Sequence, residues 1–172
     1  YIAIESNQPT IKYLLLLPLM FLIACRTSKL DLNSEQSRIN ILLDNWHQAA
    51  GAADFKSYFD QLTDDAIFMG TDATEHWNKT QFMEFSKPYF DRGKAWNFKS
   101  LQRHIYVDPA GKIAWFDELL NTQMKICRGS GVLYKQNSSW KIKQYVLSMT
   151  IPNEKVDEVV KMKGELEDKV IL

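Results

Sequence analysis

Two adjacent acids, Asp117 and Glu118, lie in the run Ala114–Leu120 (AWFDELL), in which every other residue is aromatic or aliphatic. Successive residues of a β-strand point to opposite faces, so at most one of these acids can face an interior cavity. We predict that Asp117 faces the cavity together with Trp115, and that Glu118 faces the outer surface. A carboxylate beside an indole in a closed cavity has a raised pKa and can act as a general base.

The same aspartate has a structural alternative. If Asp117 pairs with Arg128 or His104, its pKa falls and the ion pair only stabilises the fold. Arg128 itself can be a fork that binds an anion in the cavity or a solvated arginine on the sheet. His104 alternates with Tyr106 in a predicted strand and is the histidine best suited to a polar contact or to catalysis with Asp117.

The remaining histidines and the cysteines indicate no metal site and no cofactor. His47 follows Trp46 in a helix and is predicted to be structural or partly exposed, and His76 lies in a loop. No two histidines have the spacing of metal ligands. Cys127 has no evident base beside it, so we interpret it as a small buried apolar residue.

The stretch Leu22–Cys25 (LIAC) ends a run of twelve largely apolar residues, 13–24, that follows Lys12. Twelve residues are too few to span a bilayer, and they fit the core of a signal peptide. The four residues resemble a bacterial lipobox, which implies cleavage before Cys25 and a lipid on its sulfur. The alternatives are a plain secretory signal or a buried helix with a chance cysteine. We therefore expect a signal peptide over 1–24, a tether over 25–33, and a lipid-anchored protein of the bacterial cell envelope, periplasmic or surface-facing.

Composition narrows the class of protein. The 21 basic and 21 acidic residues give no net charge and form no basic block, which argues against a nucleic-acid partner. The hydrophobic share of 45% and the aromatic share of 12% are enough both to fill a core and to line a pocket. The length of 172 residues favours a single domain.

Helices are predicted where a capping residue precedes apolar residues at helical spacing. Such residues are Asn33, Asp54, Asn78 and Asn153, of which the last opens a C-terminal helix over 152–172. Pro88 should bend or end the third helix. A short strand over 66–70 and a polar loop over 71–77 lie between the second and third helices.

From Trp96 the apolar period changes to two, which predicts four strands separated by turns. The strands are Trp96–Val107, Lys112–Met124, Ile126–Lys135 and Trp140–Ile151, with hairpin turns at 108–111 and 136–139. Helices followed by an antiparallel meander make an α+β domain. Three N-terminal helices would pack on one face of the sheet.

Six strings in order resemble the SnoaL-like family of the nuclear transport factor 2-like superfamily. They are LTDDAIFMGTDATEHW, KPYFDRGKAW, RHIYVD, AWFDE, CRGSGVLYK and WKIKQYVLS. The resemblance covers residues 34–151 and implies a cone-shaped fold, in which helices cap a strongly curved antiparallel sheet and leave a cavity. Relatives include isomerases, cyclases, dehydratases and non-catalytic domains, so fold alone does not fix function. Many relatives carry histidines where this chain has Gln144 and Val146, which argues against catalysis.

Alternation in the last strand predicts that Gln144 and Val146 face the cavity with Trp140, while Tyr145 and Leu147 form an exposed apolar strip. The superfamily often dimerises through its outer sheet face, and such a strip predicts a homodimer here. The predicted ligand contacts share aromatic or polar side chains expected to line the cavity. They are Trp77, Tyr89, Trp96, His104, Tyr106, Trp115, Asp117, Arg128 and Gln144.

Three functions follow from these predictions. The first is a lipid-anchored, non-catalytic domain that binds a small, partly apolar molecule in its cavity. The second is an isomerase- or cyclase-like enzyme that uses Asp117 as a general base with His104. The third is a structural dimerisation module.

Overall fold

The computed structural model describes residues 30–171, which form an α+β fold with helices on one face of a curved six-stranded sheet. The elements in chain order are α1 (Leu32–Gly51), α2 (Phe55–Asp60), β1 (Leu62–Met69), β2 (His76–Asn78), α3 (Lys79–Asp91), β3 (Lys99–Val107), β4 (Ile113–Thr122), β5 (Lys125–Gln136), β6 (Ser139–Met149) and α4 (Val156–Ile171). The predicted signal peptide and Cys25 lie outside the described residues. Two of the three predicted N-terminal helices precede the first strand, and the third follows β2.

The sheet has the order β2-β1-β6-β5-β4-β3. The four strands predicted from alternation are β3 to β6, and they pair antiparallel with their neighbours in the chain. Asn137 and Ser138 both have positive φ, 48° and 68°, so the β5–β6 turn has the twist that suits a two-residue hairpin. β1 pairs parallel to β6 and so lies next to the four-stranded meander. β2 begins inside the predicted polar loop, extends one residue beyond its end and pairs only with β1.

Side-chain caps fix most of the helix starts. Asp54 accepts the backbone N–H of Ser57, and Asn78 forms a reciprocal capping box with Gln81, as predicted. The cap of α1 is Asp31, which accepts from Asn33 and Ser34, so the prediction of Asn33 as the cap is wrong.

Pro88 neither ends α3 nor stops it from reaching Asp91. The ring of Pro88 is exposed, whereas Phe90 in the following turn is buried in the core. Burial of a phenylalanine contributes about 1.5–3 kcal/mol. A proline in a helix interior costs about 3 kcal/mol, and the burial of Phe90 offsets much of that cost.

α4 is the least integrated of the described elements. It follows a short 3-10 helix over Asn153–Lys155, and its apolar side chains Val160, Met162 and Leu166 are 57%, 76% and 68% exposed. None of the described helices combines the length and the apolar character needed to cross a membrane.

The inner face of the sheet, which packs against α1 to α3, carries the core. Alternate residues of β4 face it: Ala114, Phe116, Glu118 and Leu120 are all buried. In β6, Trp140 and Ile142 face inward, Lys143 is an extra residue opposite the Val132–Leu133 step of β5, and Tyr145 and Leu147 then face inward. This bulge inverts the predicted facing of the second half of β6.

Candidate functional site

Glu118 on β4 is the centre of a buried polar cluster on the inner face, and only 1% of it is exposed. Its Oε1 lies 2.8 Å from Nε2 of His47 on α1 and accepts the hydroxyl of Tyr145 on β6 at 3.1 Å. Its Oε2 accepts from Nε of Arg103 on β3 at 2.9 Å. Three other elements of the fold therefore supply partners to this carboxylate of β4.

Arg103 connects this carboxylate to the surface. Its Nη2 lies 2.8 Å from Glu118 Oε2, an ion-pair distance, although its N–H groups are not aligned for a hydrogen bond. Its Nη1 donates to Asp44 at 2.8 Å and to the side chain of Asn40 at 2.9 Å, both on α1. The side chain of Arg103 is 5% exposed, so its buried charge is compensated by the carboxylates of Glu118 and Asp44.

The cluster holds Glu118 in its ionised form. Burial alone would raise the pKa of this carboxyl, but the hydrogen bond from His47 and the charges of His47 and Arg103 outweigh burial and lower the pKa from its ordinary value. Burial and the neighbouring Glu118 raise the pKa of Tyr145, which keeps its hydroxyl protonated as a donor. An ionised carboxylate only accepts hydrogen bonds, so Nε2 of His47 carries the proton that faces Glu118.

His47 connects the cluster to a cavity of about 780 Å³, which we call the polar cavity. The cavity lies between the C-terminal half of α1, the segment that joins α3 to β3, and the β4–β5 turn. Its walls include His47, Gln48, Lys94, Phe98, Lys99 and Gln123. Because Nε2 is bound to Glu118, Nδ1 is the ring nitrogen left for a ligand.

A second cavity of about 300 Å³, the aromatic cavity, lies against the inner face between α3 and the sheet. Its lining includes Phe68, Phe85, Tyr89, Trp96, Phe98 and Met124. Tyr89 and Trp96, two of the predicted ligand contacts, are among these residues. Phe98 and Gln123 border both cavities, so the two adjoin at one end of the fold.

Trp77, a third predicted contact, borders neither cavity. Its ring stacks on Phe85 at a centroid distance of 4.4 Å and on Phe82 at 5.7 Å. Trp77 therefore supports the wall of the aromatic cavity from behind.

Asp117 and Trp115 lie on the outer face of the sheet, so the prediction that they face the cavity is wrong. Asp117 Oδ1 lies 3.1 Å from Nδ1 of His104, which is the paired alternative, and both side chains are more than 40% exposed. Tyr106 and Trp115 stack beside them with centroids 5.8 Å apart. β4 thus faces the opposite way to the prediction, and the cause is not local in the sequence. Glu118 can face inward because Arg103 and His47 supply its hydrogen-bonding partners.

The other predicted contacts also lie on the outer face. Arg128 is exposed, as its solvated alternative requires, and Gln144 is half-buried beyond the bulge at Lys143. Tyr145 and Leu147, predicted as an exposed strip, are buried at 1% and 5% exposure. His104 and Tyr106 border a shallow depression of about 320 Å³ beside α1, and neither residue lines the polar or the aromatic cavity.

Sequence reasoning missed Glu118, Arg103 and Tyr145 as site residues and predicted His47 to be structural or partly exposed. Arg103 lies directly opposite Glu118 in the β3–β4 register, so a charge pair across the predicted hairpin was the available signal. His47 sits eight residues after Ile39 on the apolar side of α1, which placed it near the core without naming its partner.

Solved structures show which fold this chain shares. An NTF2-like protein of unknown function from Pseudomonas putida matches with a TM-score of 0.61 at 15% identity, over 72% of this chain and 92% of that one. A cystatin-like-fold domain of unknown function from Nostoc punctiforme matches with 0.62 at 13%, over 82% and 94%. The association domain of CaMKII from C. elegans matches with 0.57 at 15%, over 68% and 97%. At these identities the likeness concerns the fold alone.

No curated protein is similar enough to this chain to count as a relative. The model of the SnoaL-like domain matches residues 39–152, which is more than half of the chain and spans α1 to β6 together with both cavities. The residues that match also contain the whole Glu118 cluster. The chain therefore belongs to the SnoaL-like domain family.

Proposed function

We propose that this chain binds a small, partly apolar molecule in the polar and aromatic cavities. The observation that carries the proposal is their junction at Phe98 and Gln123, which gives one ligand access to aromatic rings on one side and to hydrogen-bonding groups on the other. Ligand sites are commonly apolar clefts of about 300–1,000 Å³ with a few well-placed polar groups. Both cavity volumes fall in that range.

The aromatic cavity supplies a surface suited to a flat apolar body. Phe85, Tyr89 and Trp96 form a continuous wall, with ring centroids 5.5 Å apart for the first pair and 6.4 Å for the second. The wall is anchored because Trp96 also contacts the buried Phe90 at 5.4 Å. A preformed wall of this kind binds without a large cost in side-chain ordering.

The geometry gives no support to an enzyme built on Asp117. This aspartate and His104 form an exposed pair on the outer face and line neither cavity. We therefore propose binding rather than isomerase-like chemistry by that pair.

Native mass spectrometry of the protein purified from its native cells tests the proposal. We expect a retained small molecule, and we expect Met124→Trp to lose it because the larger side chain fills the aromatic cavity. Ile126→Trp is the matched control, since Ile126 lies two residues away and is exposed. Retention of the molecule by Met124→Trp, or its equal loss from both variants, would contradict binding in this cavity.

We further propose that Cys25 carries a lipid that anchors the domain to the bacterial cell envelope. The support is the Leu22–Cys25 string after an apolar run too short to span a bilayer. Stable anchoring requires more than one acyl chain, which the lipoprotein pattern provides. Incorporation of a fatty-acid analogue should be lost in Cys25→Ala and retained in Cys127→Ala. Equal labelling of both variants would remove the anchor from the proposal.

We also propose a homodimer through the outer face of the sheet. Tyr106, Trp115 and Tyr134 are 47%, 48% and 40% exposed there, which is an unusual concentration of aromatic surface for a free monomer. Trp115→Lys should shift the sedimentation coefficient from dimer to monomer. Ile41→Lys, at an exposed position of α1, should leave it unchanged. A wild-type protein that sediments as a monomer at micromolar concentration would refute the dimer.

A further inference from the structure

The polar cavity has an excess of positive charge. Lys94 and Lys99 border it, and neither makes an ion pair within residues 30–171. Among the described residues, Asp44 is the one acid in its wall, and that carboxylate is already bound to Arg103 at 2.8 Å. Two ammonium groups against one committed carboxylate leave a net charge of +1 before His47 is counted. A cleft whose walls carry a surplus charge attracts ions of the opposite sign.

His47 gives the cavity a polar group in its wall. The residue is 4% exposed, and its Nε2 is held by Glu118 at 2.8 Å. Nδ1 makes no hydrogen bond to any described residue and is not among the fully enclosed polar atoms without a partner. A protonated imidazole donates from both nitrogens, and Glu118 stabilises the charge that then forms on the ring. Nδ1–H is in that state a donor for a bound anion.

The polar and aromatic cavities can hold the two ends of one molecule. Phe98 borders both cavities, and its ring packs edge-on against His47 at a centroid distance of 5.8 Å. A ligand whose apolar body lies against Trp96 and Phe98 therefore extends its polar end toward His47, Lys94 and Lys99. Asn97, Gln48 and Gln123 on the same walls add neutral hydrogen-bonding groups.

We infer that the polar cavity is an anion site, and that the ligand is a small aromatic or alicyclic carboxylic acid whose carboxylate accepts from His47 Nδ1–H, Lys94 and Lys99. This inference rests on the proposed binding function and names its ligand class. Hydrogen bonds between charged partners are shorter and about twice as strong as neutral ones, so the carboxylate supplies much of the selectivity. Binding is coupled to protonation of His47, because only the imidazolium offers a donor to the carboxylate at Nδ1.

The charged and titratable groups around His47 come from every element packed against it. They are Asp44 on α1, Arg103 and Lys99 on β3, Glu118 on β4, Tyr145 on β6, and Lys94 ahead of β3. The pKa of Glu118 is lowered by its hydrogen bond and ion pairs in spite of burial, and burial raises that of Tyr145.

Calorimetric titration of the purified full chain with 1-naphthoate and with 1-naphthamide tests the inference, because the two probes share their ring system and differ in charge. We expect naphthoate to bind at least about tenfold more tightly at pH 6, as charge-assisted contacts require. The affinity for naphthoate should fall as the pH rises, because its carboxylate needs the protonated imidazole, and the affinity for naphthamide should stay constant.

Two variants, each with a matched control variant, assign the effect to named residues. Lys94→Gln/Lys99→Gln should abolish the advantage of naphthoate, whereas Lys161→Gln/Lys169→Gln on α4 should preserve it. His47→Gln retains an N–H donor toward Glu118 and should remove the pH dependence, whereas His104→Gln on the outer face should retain it. Lys94 and Lys99 are exposed, so the first variant tests the inference even if His47→Gln does not fold.

The outcomes separate this inference from the proposed function. If naphthamide binds as tightly as naphthoate, the anion site is wrong and the binding function stands. If neither probe binds, both are wrong. An advantage of naphthoate that survives Lys94→Gln/Lys99→Gln, or a pH dependence that survives His47→Gln, also overturns the anion site.

Discussion

Replacement of Glu118 by glutamine tests whether this residue organises the interior. The substitution preserves shape but removes the charge and turns one acceptor oxygen into an N–H₂ donor. Three donors, from His47, Tyr145 and Arg103, then face a single acceptor oxygen. At least one donor loses its partner, and a buried donor without a partner costs about 1–3 kcal/mol.

The larger part of the cost comes from Arg103. Removal of one member of a buried ion pair costs about 3–5 kcal/mol, because the other charge is left buried without compensation. Arg103 retains Asp44 and Asn40 on Nη1, which places the cost at the lower end of that range. The two costs overlap, since both describe the same lost contacts. We expect Glu118→Gln to lower the free energy of unfolding by about 3 kcal/mol.

Equilibrium unfolding in urea, followed by tryptophan fluorescence, measures this change. Asp117→Asn is the matched control: the neighbouring acid pairs with His104 on the exposed outer face, where an ion pair contributes about 0–1 kcal/mol. A loss below about 1 kcal/mol for Glu118→Gln, or equal losses for the two variants, would refute the assignment of Glu118 as the buried centre.

Three further predictions concern the same interior. Burial raises the pKa values of Glu118 and Glu35, but hydrogen bonds and ion pairs outweigh it and lower both from 4.5. The stability that these carboxylates contribute is complete above pH 4.5 and is lost as the pH falls through their folded-state pKa values. The free energy of unfolding should therefore fall more steeply with acidification in the wild type than in Glu118→Gln. Tyr145→Phe removes one hydrogen bond to a charged acceptor and should cost about 1.5 kcal/mol in urea unfolding, whereas no loss would show that the hydroxyl contributes nothing. A methyl group on Gly131 would lie 2.5 Å from the backbone oxygen of Gln144, so Gly131→Ala should lower the free energy of unfolding, measured by thermal melting, by about 1–3 kcal/mol. Gly164→Ala, whose methyl group meets nothing within 4 Å, should not lower it.

The meander and the helix caps could be predicted because each depends on local sequence. Alternation over β3 to β6 reflects one covered face of the sheet, and Asp54 and Asn78 each cap with residues three positions away. These signals lie within a short window of the chain. The resemblance to the SnoaL-like family rests on the order of such windows and was confirmed by the family match.

The facing of the strands could not be predicted, because it depends on residues distant in the chain. Glu118 faces inward only because His47, 71 residues earlier, and Arg103 provide its partners. In β6, the extra residue Lys143 has no local sequence signal, yet it exchanges the faces of every residue after it. Asp117 therefore lies on the outer face because Glu118 faces inward, and Gln144 lies there because of the extra residue Lys143.

The polar cavity was missed for a related reason. Its walls come from α1, the segment before β3, and the β4–β5 turn, and none of these has an unusual composition. Tyr89 and Trp96 were predicted as members of an aromatic set expected to line a cavity, and both border the aromatic cavity. His47, which borders the polar cavity, was predicted to be structural or partly exposed, and its partner Glu118 was expected on the opposite face of the sheet.

A crystal structure of the protein with 1-naphthamide tests the central claim, that the adjoining cavities are the ligand site. We predict electron density for the ring system in the aromatic cavity, in contact with Trp96 and Phe98, with its amide directed toward Gln123. Density only on the outer face beside Tyr106 and Trp115, with the cavity free of probe at saturating concentration, would contradict the account.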